Sequence, residues 1–329
     1  MLILSFESSC DETSVAVTRD GIEVLSNEVL SQIDIFKDYG GVVPEISSRE
    51  HVKGITLVYK KALEDAHVTM DDIDYVAVTC GPGLIGSLLT GINAAKTVAL
   101  NYNKPLVGVN HLTGHIYSAS IDHKVNYPAL ALLISGGHTE LVYMEKDYSF
   151  KKLGSTSDDA VGEVFDKVAR ILNLPYPGGP LVDKLGKEGE AKYNLPHPMA
   201  YSNDYNFSFS GLKSATTKLL FDLEKDNIPY KREDIARSFE EAVAETLERK
   251  VKKALSEYKV NEVIVSGGSA ANSVIRGKLS KESLGVDVTF PLMKYCGDNA
   301  AMIGISAYYK IKEGEIDDMN LYASSRLDL

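Results

Sequence analysis

The order of apolar runs and polar turns repeats along this chain, and that repetition constrains its fold more than any single motif does. Residues 2–6 form an apolar run, residues 7–13 (ESSCDET) a polar turn, and residues 14–17 a second run. Short apolar runs separated by turn chemistry read as a hairpin. Downstream, residues 48–66 carry Ile55, Val58 and Leu63 near helical spacing. Residues 75–79 then read as a strand, GPGLIGS as a glycine-rich turn, residues 88–100 as a helix, and residues 106–109 as a strand running directly into NHLTGH. The second half opens the same way: a strand at 129–134, the turn SGGHT, and a strand at 140–144. A strand at 262–265, the turn SGGSA and a helix at 272–281 follow much later. The extra residues, 158–258, are mostly helical in pattern. Two related α/β halves with a helical insertion in the second imply a duplicated fold, and α/β folds bind ligands at the carboxyl ends of their strands.

The chain has 329 residues, enough for about two domains of roughly 150 residues each. Its longest apolar runs, such as 129–134, fall far short of the ~20 residues of a membrane helix, so no membrane role is expected. The start, MLILSFESSCDETS, has no basic region and turns polar at Ser5, unlike a secretory signal. Cys10, Cys80 and Cys296 are odd in number and form no CxxC pair, which points to a reducing cytoplasm. With 35 Lys+Arg against 46 Asp+Glu the net charge is −11, which opposes nucleic acid as a partner if charge is averaged over the surface. Basic clusters do occur at Lys151–Lys152 and at Arg249–Lys250 with Lys252–Lys253, the second reading as a solvated helix face.

Three groups of residues could carry chemistry. His111 and His115 stand at i and i+4 just after a strand, a spacing that lets two imidazoles on one helical turn share a metal ion. Asp298, in the turn of CGDNAAMIG, is the best third ligand. A zinc protease of the HExxH type would need Glu after the first histidine, and Leu112 stands there. The glycine turns GPG, SGGHT, PGGP and SGGSA suit close backbone approach to phosphate, although each alone could be a plain turn. None fits the GxxxxGK[ST] pattern. Asp11 and Glu12 lie in the first turn; Asp166 and Asp183 flank PGGP, where carboxylates suit ribose hydroxyls, with a solvated helix face the other reading for Asp166. Cys10 and Cys296 have acidic neighbours, an unfavourable setting for a thiolate nucleophile.

Taken in order, ESSCDETSVAV, GGVVPEISSREH, GPGLIGSLLTGINAAK, VNHLTGH, LLISGGHTEL, YPGGP, FSFSGLKSA, VSGGSAAN and CGDNAAMIG resemble the TsaD family of tRNA N6-threonylcarbamoyladenosine transferases, in its bacterial branch. The resemblance implies a two-lobed actin-like, sugar-kinase-like ATPase fold with ribonuclease-H-like halves: residues 1–125, and 126–329 with an insertion at about 155–258, the last helix (300–312) being free to pack on the first lobe. It implies transfer of a threonylcarbamoyl group from threonylcarbamoyl-adenylate to N6 of the adenosine beside the anticodon, with release of AMP. It also implies a divalent metal, iron before zinc or magnesium, on His111, His115 and Asp298. Ile134, Ser135, Gly136, Gly137 and His138 would hold the phosphate and acyl part of the adenylate, and Asp166, Gly179, Asp183 and Asn272 its ribose and adenine. From position in the first turn, Asp11 or Glu12 would serve as base. The implied partners are tRNA, an inactive TsaB-like paralogue and a small TsaE-like ATPase, in the cytoplasm. Two other readings stand beside this one: an ATP-dependent phosphotransferase or ATPase of the same fold, and a metallopeptidase.

Overall fold

In the computed structural model, which describes residues 1–329, the chain opens with three strands, β1 (Leu2–Glu7), β2 (Glu12–Arg19) and β3 (Glu23–Ser31). Then come α1 (Ile33–Phe36), α2 (Pro44–Asp65), β4 (Tyr75–Gly81), α3 (Ile85–Asn101), β5 (Leu106–Asn110) and α4 (His111–Tyr117). A second series runs β6 (Ala129–Ile134), β7 (Thr139–Met144), β8 (Lys151–Ser155), α5 (Val161–Ile171), α6 (Gly178–Gly186), α7 (Ser210–Lys225) and α8 (Arg232–Glu257). It continues through β9 (Glu262–Ser266), α9 (Ser273–Lys278), α10 (Lys281–Leu284) and β10 (Asp287–Thr289), and the last helix is α11 (Ala300–Lys312).

The strands form two five-stranded sheets, ordered β3-β2-β1-β4-β5 and β10-β9-β6-β7-β8. Read from its other edge, the second becomes β8-β7-β6-β9-β10. In each, a three-stranded antiparallel meander is extended by two parallel strands beside its first strand. The duplication legible in the order of runs is therefore one of topology. Strands β3, β8 and β10 were not anticipated. They are sheet-edge strands, and β3 and β8 carry exposed polar residues in place of an apolar run. The helix expected over 272–281 is shorter: it ends at Lys278, and Ser280 caps the separate α10 by accepting from the Ser283 N–H.

One unit comprises Met1–Val125, Asp147–Ser149 and Pro291–Leu329, the other Asn126–Lys146 and Phe150–Phe290. The C-terminal segment falls in the first unit because α11 covers one face of the first sheet. Ile3, Ala77, Val107 and Val109 pack there against Met302, Ile303, Ala307 and Ile311. Alternate residues of a strand point to opposite faces. Leu4, Phe6, Val15, Val17, Val76 and Val78 therefore meet Ile55, Val58 and Ala62 of α2 and Ile92 and Ala95 of α3 on the other side. In the second unit Leu130, Leu132 and Ile134 pack with Val164, Phe165 and Val168 of α5 and Phe239, Val243 and Leu247 of α8.

Helix α4 lies against α11, and Gly114 is the residue that permits the approach. A β-carbon at Gly114 would stand 2.7 Å from Ile303 Cδ1 and 3.3 Å from Met302 Cγ. Gly114→Val is expected to destabilise the protein by about 1–3 kcal/mol through overpacking. A thermal melt should show this as a fall of roughly 2–4 °C per kcal/mol. An unchanged melting temperature would contradict the close approach.

Candidate functional site

The first unit gathers three metal-ligating side chains. Helix α4 begins where β5 ends, and the Asn110 side chain caps it by accepting from the Leu112 N–H at 2.8 Å. This places His111 and His115 one turn apart, both buried. Asp298 arrives from the other end of the chain. Its neighbour Asn299 caps α11 by accepting from Met302 N–H, and the first turn of α11 is held by the sheet: Ser5 Oγ donates to Ala300 O at 2.6 Å, while Ser14 Oγ and Asn27 Oδ1 accept from the N–H groups of Ala300 and Ala301. The result puts Asp298 Oδ1 3.1 Å from His115 Nε2 and 3.6 Å from His111 Nε2. One ligand atom from each of the three residues lies within 4.8 Å of the others.

The donor set fits a cation. Neither ring nitrogen of buried His115 makes a hydrogen bond; Nε2 is near Asp298 but outside bonding geometry. Buried polar atoms are rarely left so unless something else satisfies them. His111 Nδ1 lies 3.2 Å from Glu7 Oε2 and 3.1 Å from Ser9 Oγ, an arrangement that turns Nε2 toward Asp298. Glu7 is fully buried and also accepts from Ser9 N–H and Thr79 Oγ. Burial opposes charge on both partners, yet their mutual attraction prevails. It holds the Glu7 carboxyl below its ordinary range and, with Asp298, pushes His111 up to about 9. The cation-free site thus keeps a proton on His111 that a bound cation would displace. Nothing in the motif reading marked Glu7; its only sequence signal is an acidic residue at the end of an otherwise apolar strand.

Asp11, in the turn between β1 and β2, and Glu12, the first residue of β2, lie beside this cluster. Burial, the Asp11 charge and the Asp298 charge push Glu12 well above the usual carboxylate range. Asp11 is also raised by burial but is partly relieved by hydrogen bonds from Glu12 and Cys10. Burial and the same carboxylates push the Cys10 thiol up, so it offers no thiolate nucleophile. Beneath the turn, buried His51 of α2 bonds Thr13 Oγ1 at 2.7 Å and Cys10 O at 3.0 Å, and burial keeps it neutral by lowering its pKa.

The second unit brings two glycine turns together. Ile134 ends β6, and Ser135, Gly136, Gly137 and His138 connect it to β7. The turn is closed by Ser135 N–H on His138 O at 2.8 Å and by His138 N–H on Ser135 Oγ at 3.2 Å. Gly136 and Gly137 are exposed with open space where β-carbons would be, and their N–H groups make no hydrogen bond within the chain. The SGGSA turn comes up against them: Gly267 has φ +92, and a β-carbon there would stand 2.5 Å from Ile134 O. Gly162 N–H at the start of α5 donates to Ser135 O, linking α5 to the same turn.

On α5, Asp166 Oδ1 accepts from the N–H of Gly178 at 2.7 Å, so this carboxylate holds the PGGP segment that starts α6 with Gly178 and Gly179. On α6, Asp183 Oδ1 accepts from Ser273 N–H and Oγ at 2.8 and 2.6 Å, and Oδ2 binds Lys187 Nζ at 2.6 Å. Burial opposes these bonds, but they keep its pKa below the usual value. Both ends of the Asn272 amide are engaged: Oδ1 accepts from Val274 and Ile275 N–H, and Nδ2 donates to Glu240 at 2.6 Å. Beside Ser273 opens a cavity of about 270 Å³, lined by Arg237, Glu241, Ser273, Val274, Gly277 and Lys278. That volume suits a ring system rather than a whole cofactor. Arg237, Glu241 and Lys278 were invisible to motif reading, because they lie in ordinary amphipathic helix sequence.

Two units that repeat one five-stranded topology, with a His-His-Asp cluster in one and facing glycine turns in the other, define an actin-like ATPase fold carrying a candidate metal centre. Solved structures agree on the fold. Component A of (R)-2-hydroxyglutaryl-CoA dehydratase from Acidaminococcus fermentans is 18% identical, covers 95% of this chain and 99% of that one, and superposes with a TM-score of 0.58. HypF from T. kodakarensis is 14% identical, covers 95% and 48%, and gives a TM-score of 0.61. Residues 23–305 match the sequence profile of TsaD, described as tRNA N6-adenosine threonylcarbamoyltransferase. Proteins of that name from Staphylococcus aureus strains JH9 and MRSA252 are each 50% identical over 331 residues, covering 100% of this chain and 97% of theirs. The chain belongs to the TsaD family.

Proposed function

We propose that this protein transfers the threonylcarbamoyl group of threonylcarbamoyl-adenylate to N6 of the adenosine beside the anticodon, in tRNAs that read codons starting with A, with AMP as the leaving group. The observation that carries this reading is 50% identity over the whole chain to proteins named for that transfer. The nucleosides of tRNA from cells depleted of the protein test it: threonylcarbamoyladenosine should fall to background, and an unchanged level would overturn the reading. Release of AMP from the adenylate, rather than ADP from ATP, separates it from a phosphotransferase of the same fold.

The donor is a mixed anhydride. The bond that breaks joins its carbamoyl carbon to a phosphate oxygen, and the bond that forms joins that carbon to N6, so no enzyme nucleophile is required. This agrees with the unreactive setting of Cys10. The free N–H groups of Gly136 and Gly137, in the turn that also holds Ile134, Ser135 and His138, suit the phosphate whose charge grows as AMP leaves. Asp166, Gly179, Asp183 and Asn272 would place the ribose and adenine through the α6 and α9 ends that they organise. The exocyclic amine is a weak nucleophile, so orientation and a proton acceptor matter. Asp11 or Glu12, both held above the ordinary carboxylate range by burial, would be that acceptor.

His111, His115 and Asp298 would hold one divalent cation. Two imidazoles and a carboxylate favour iron or zinc over magnesium. Lewis acidity toward a coordinated oxygen is the chemistry such a cation supplies when bound.

No helix of the structure is long and apolar enough to cross a membrane, and the proposed setting is the cytoplasm. Helices α2 and α3 expose Val52, Leu57, Ile85 and Leu89. This face is the proposed seat of the TsaB-like paralogue, with the TsaE-like ATPase joining the pair. The net charge of −11 opposes tRNA, and the basic run at residues 249–253 offers it little unpaired charge. Lys250 is fully buried, donating to Ser202 Oγ and Asp204, which corrects its reading as part of a solvated face. Lys252 pairs with Glu248 and Lys253 with Glu257. At ~0.15 M salt the isolated chain is expected to bind tRNA no tighter than about 1 μM, the range of non-specific electrostatic binding. The assembled complex should bind more tightly. Tight binding by the lone chain in a filter or anisotropy titration would refute this.

A further inference from the structure

The cavity of about 270 Å³ lies between two helices. Arg237 and Glu241 of α8 form one wall, and Ser273, Val274, Gly277 and Lys278 of α9 the other. Helix α9 is short, and what sets its position is a knot of buried polar bonds at its start. Asp183 of α6 takes both the N–H and the hydroxyl of Ser273. Asn272, the cap of α9, is in turn tied to α8 by the bond from its Nδ2 to Glu240 Oε1. Glu240 is fully buried, and its other oxygen, Oε2, has no hydrogen-bond partner. Space for that oxygen exists only because α6 ends in Gly186: a β-carbon there would run into Oε2.

We propose that Glu240 is a positioning residue for the nucleotide part of the substrate, its side chain tying the cap of α9 to α8 and so fixing the two walls of the cavity in which an adenine or ribose is held. This rests on the reading of the second unit as the adenylate site, and adds to it a residue that neither the motifs nor the family likeness marks.

Asn272 can donate to either form of the carboxyl, but the charged form adds a second buried carboxylate beside Asp183. Burial, reinforced by the neighbouring Asp183 charge, pushes Glu240 up to about 8, against the hydrogen bond from Asn272 and the pull of Arg237 and Lys187. Asp183 is held below its usual value and Lys187 above its own, so both keep their charges across the range that matters. On α9 the charged groups are engaged elsewhere: Arg276 Nε donates to Ala270 O, and Lys278 pairs with Glu241 and Glu245. Below about pH 8 the neutral acid leaves Asp183 the one charged carboxylate of the knot. Above it, a second carboxylate forms in a buried site beside Asp183, and the knot loosens.

The test is calorimetric titration of the full chain with AMP from pH 7 to 9.5, comparing the parent with Glu240→Gln and Glu240→Ala. The parent should weaken as pH rises past about 8, by up to about tenfold per pH unit. Glu240→Gln, neutral at every pH and nearly isosteric, should match the parent within about threefold at pH 7 and stay flat to pH 9.5. Glu240→Ala should bind about tenfold or more weakly throughout. A Glu240→Gln profile that falls with pH like the parent's overturns the proposal even if the alanine variant fails to fold, and so does an alanine variant that binds as the parent does. A parent that binds no AMP overturns the nucleotide reading itself and this proposal with it, an outcome distinct from either variant result.

Discussion

Converting Asp298 to asparagine is expected to abolish cation binding at the proposed site and transfer activity together. Asparagine keeps nearly the same shape, so the fold should survive, while one of three donors loses its charge. Cation affinity, measured by titrating metal into stripped protein, should fall by more than about 100-fold, beyond the 10–100-fold typical of losing an outer partner. Threonylcarbamoyladenosine formation should fall with it. The electrostatics give a second readout. In the cation-free parent His111 titrates near 9, because the Asp298 and Glu7 carboxylates outweigh its burial. Without the Asp298 charge, burial counts for more, and the His111 titration followed by NMR should move down toward 6.5. An Asp298→Asn protein that binds metal and modifies tRNA as the parent does would remove Asp298 from the proposed site.

The second large effect is expected at Glu7. Glu7→Ala takes the acceptor from three buried donors at once: Ser9 N–H, Thr79 Oγ and His111 Nδ1. Breaking a buried ion pair by removing one partner costs about 3–5 kcal/mol, and the freed His111 ring no longer has its Nε2 aimed at Asp298. Cation affinity should fall by about 10–100-fold, with Glu7→Gln intermediate because it keeps the shape and part of the bonding. The pH sign follows from both shifts. His111 is raised from 6.5, so its contribution to the stability of cation-free protein is full below about pH 6.5 and lost as pH rises through about 9. Glu7 is lowered from 4.5, so its contribution is present above that value and lost as pH falls below it. Denaturant unfolding of the parent should therefore weaken toward both ends, and Glu7→Ala should flatten both limbs. A Glu7→Ala protein with the parent's metal affinity would show that His111 needs no outer support.

Much of this molecule was readable in one dimension. Apolar runs such as 129–134 announce buried central strands because their side chains are covered on both faces. The HxxxH spacing announces a shared ligand because one helical turn is a local property. Edge strands β3, β8 and β10 escaped notice because their chemistry is half solvated. Lys250 was misplaced for the opposite reason. Inside a run of basic residues nothing local distinguishes the one lysine that turns inward to Asp204 from those that face water.

The sequence by itself determined the repeated strand order, the glycine turns, the two histidines and Asp298 as their partner, because each depends on chemistry within a few residues or on a motif carried whole. Only the tertiary structure decided which distant groups complete each site. Glu7 lies 104 residues from His111, and Glu240 lies 32 residues from Asn272. In both cases a buried carboxylate acquires its role from the low-dielectric surroundings and the donors packed around it. Such a setting forms when sheets and helices close over one another, and leaves no periodic trace in the chain.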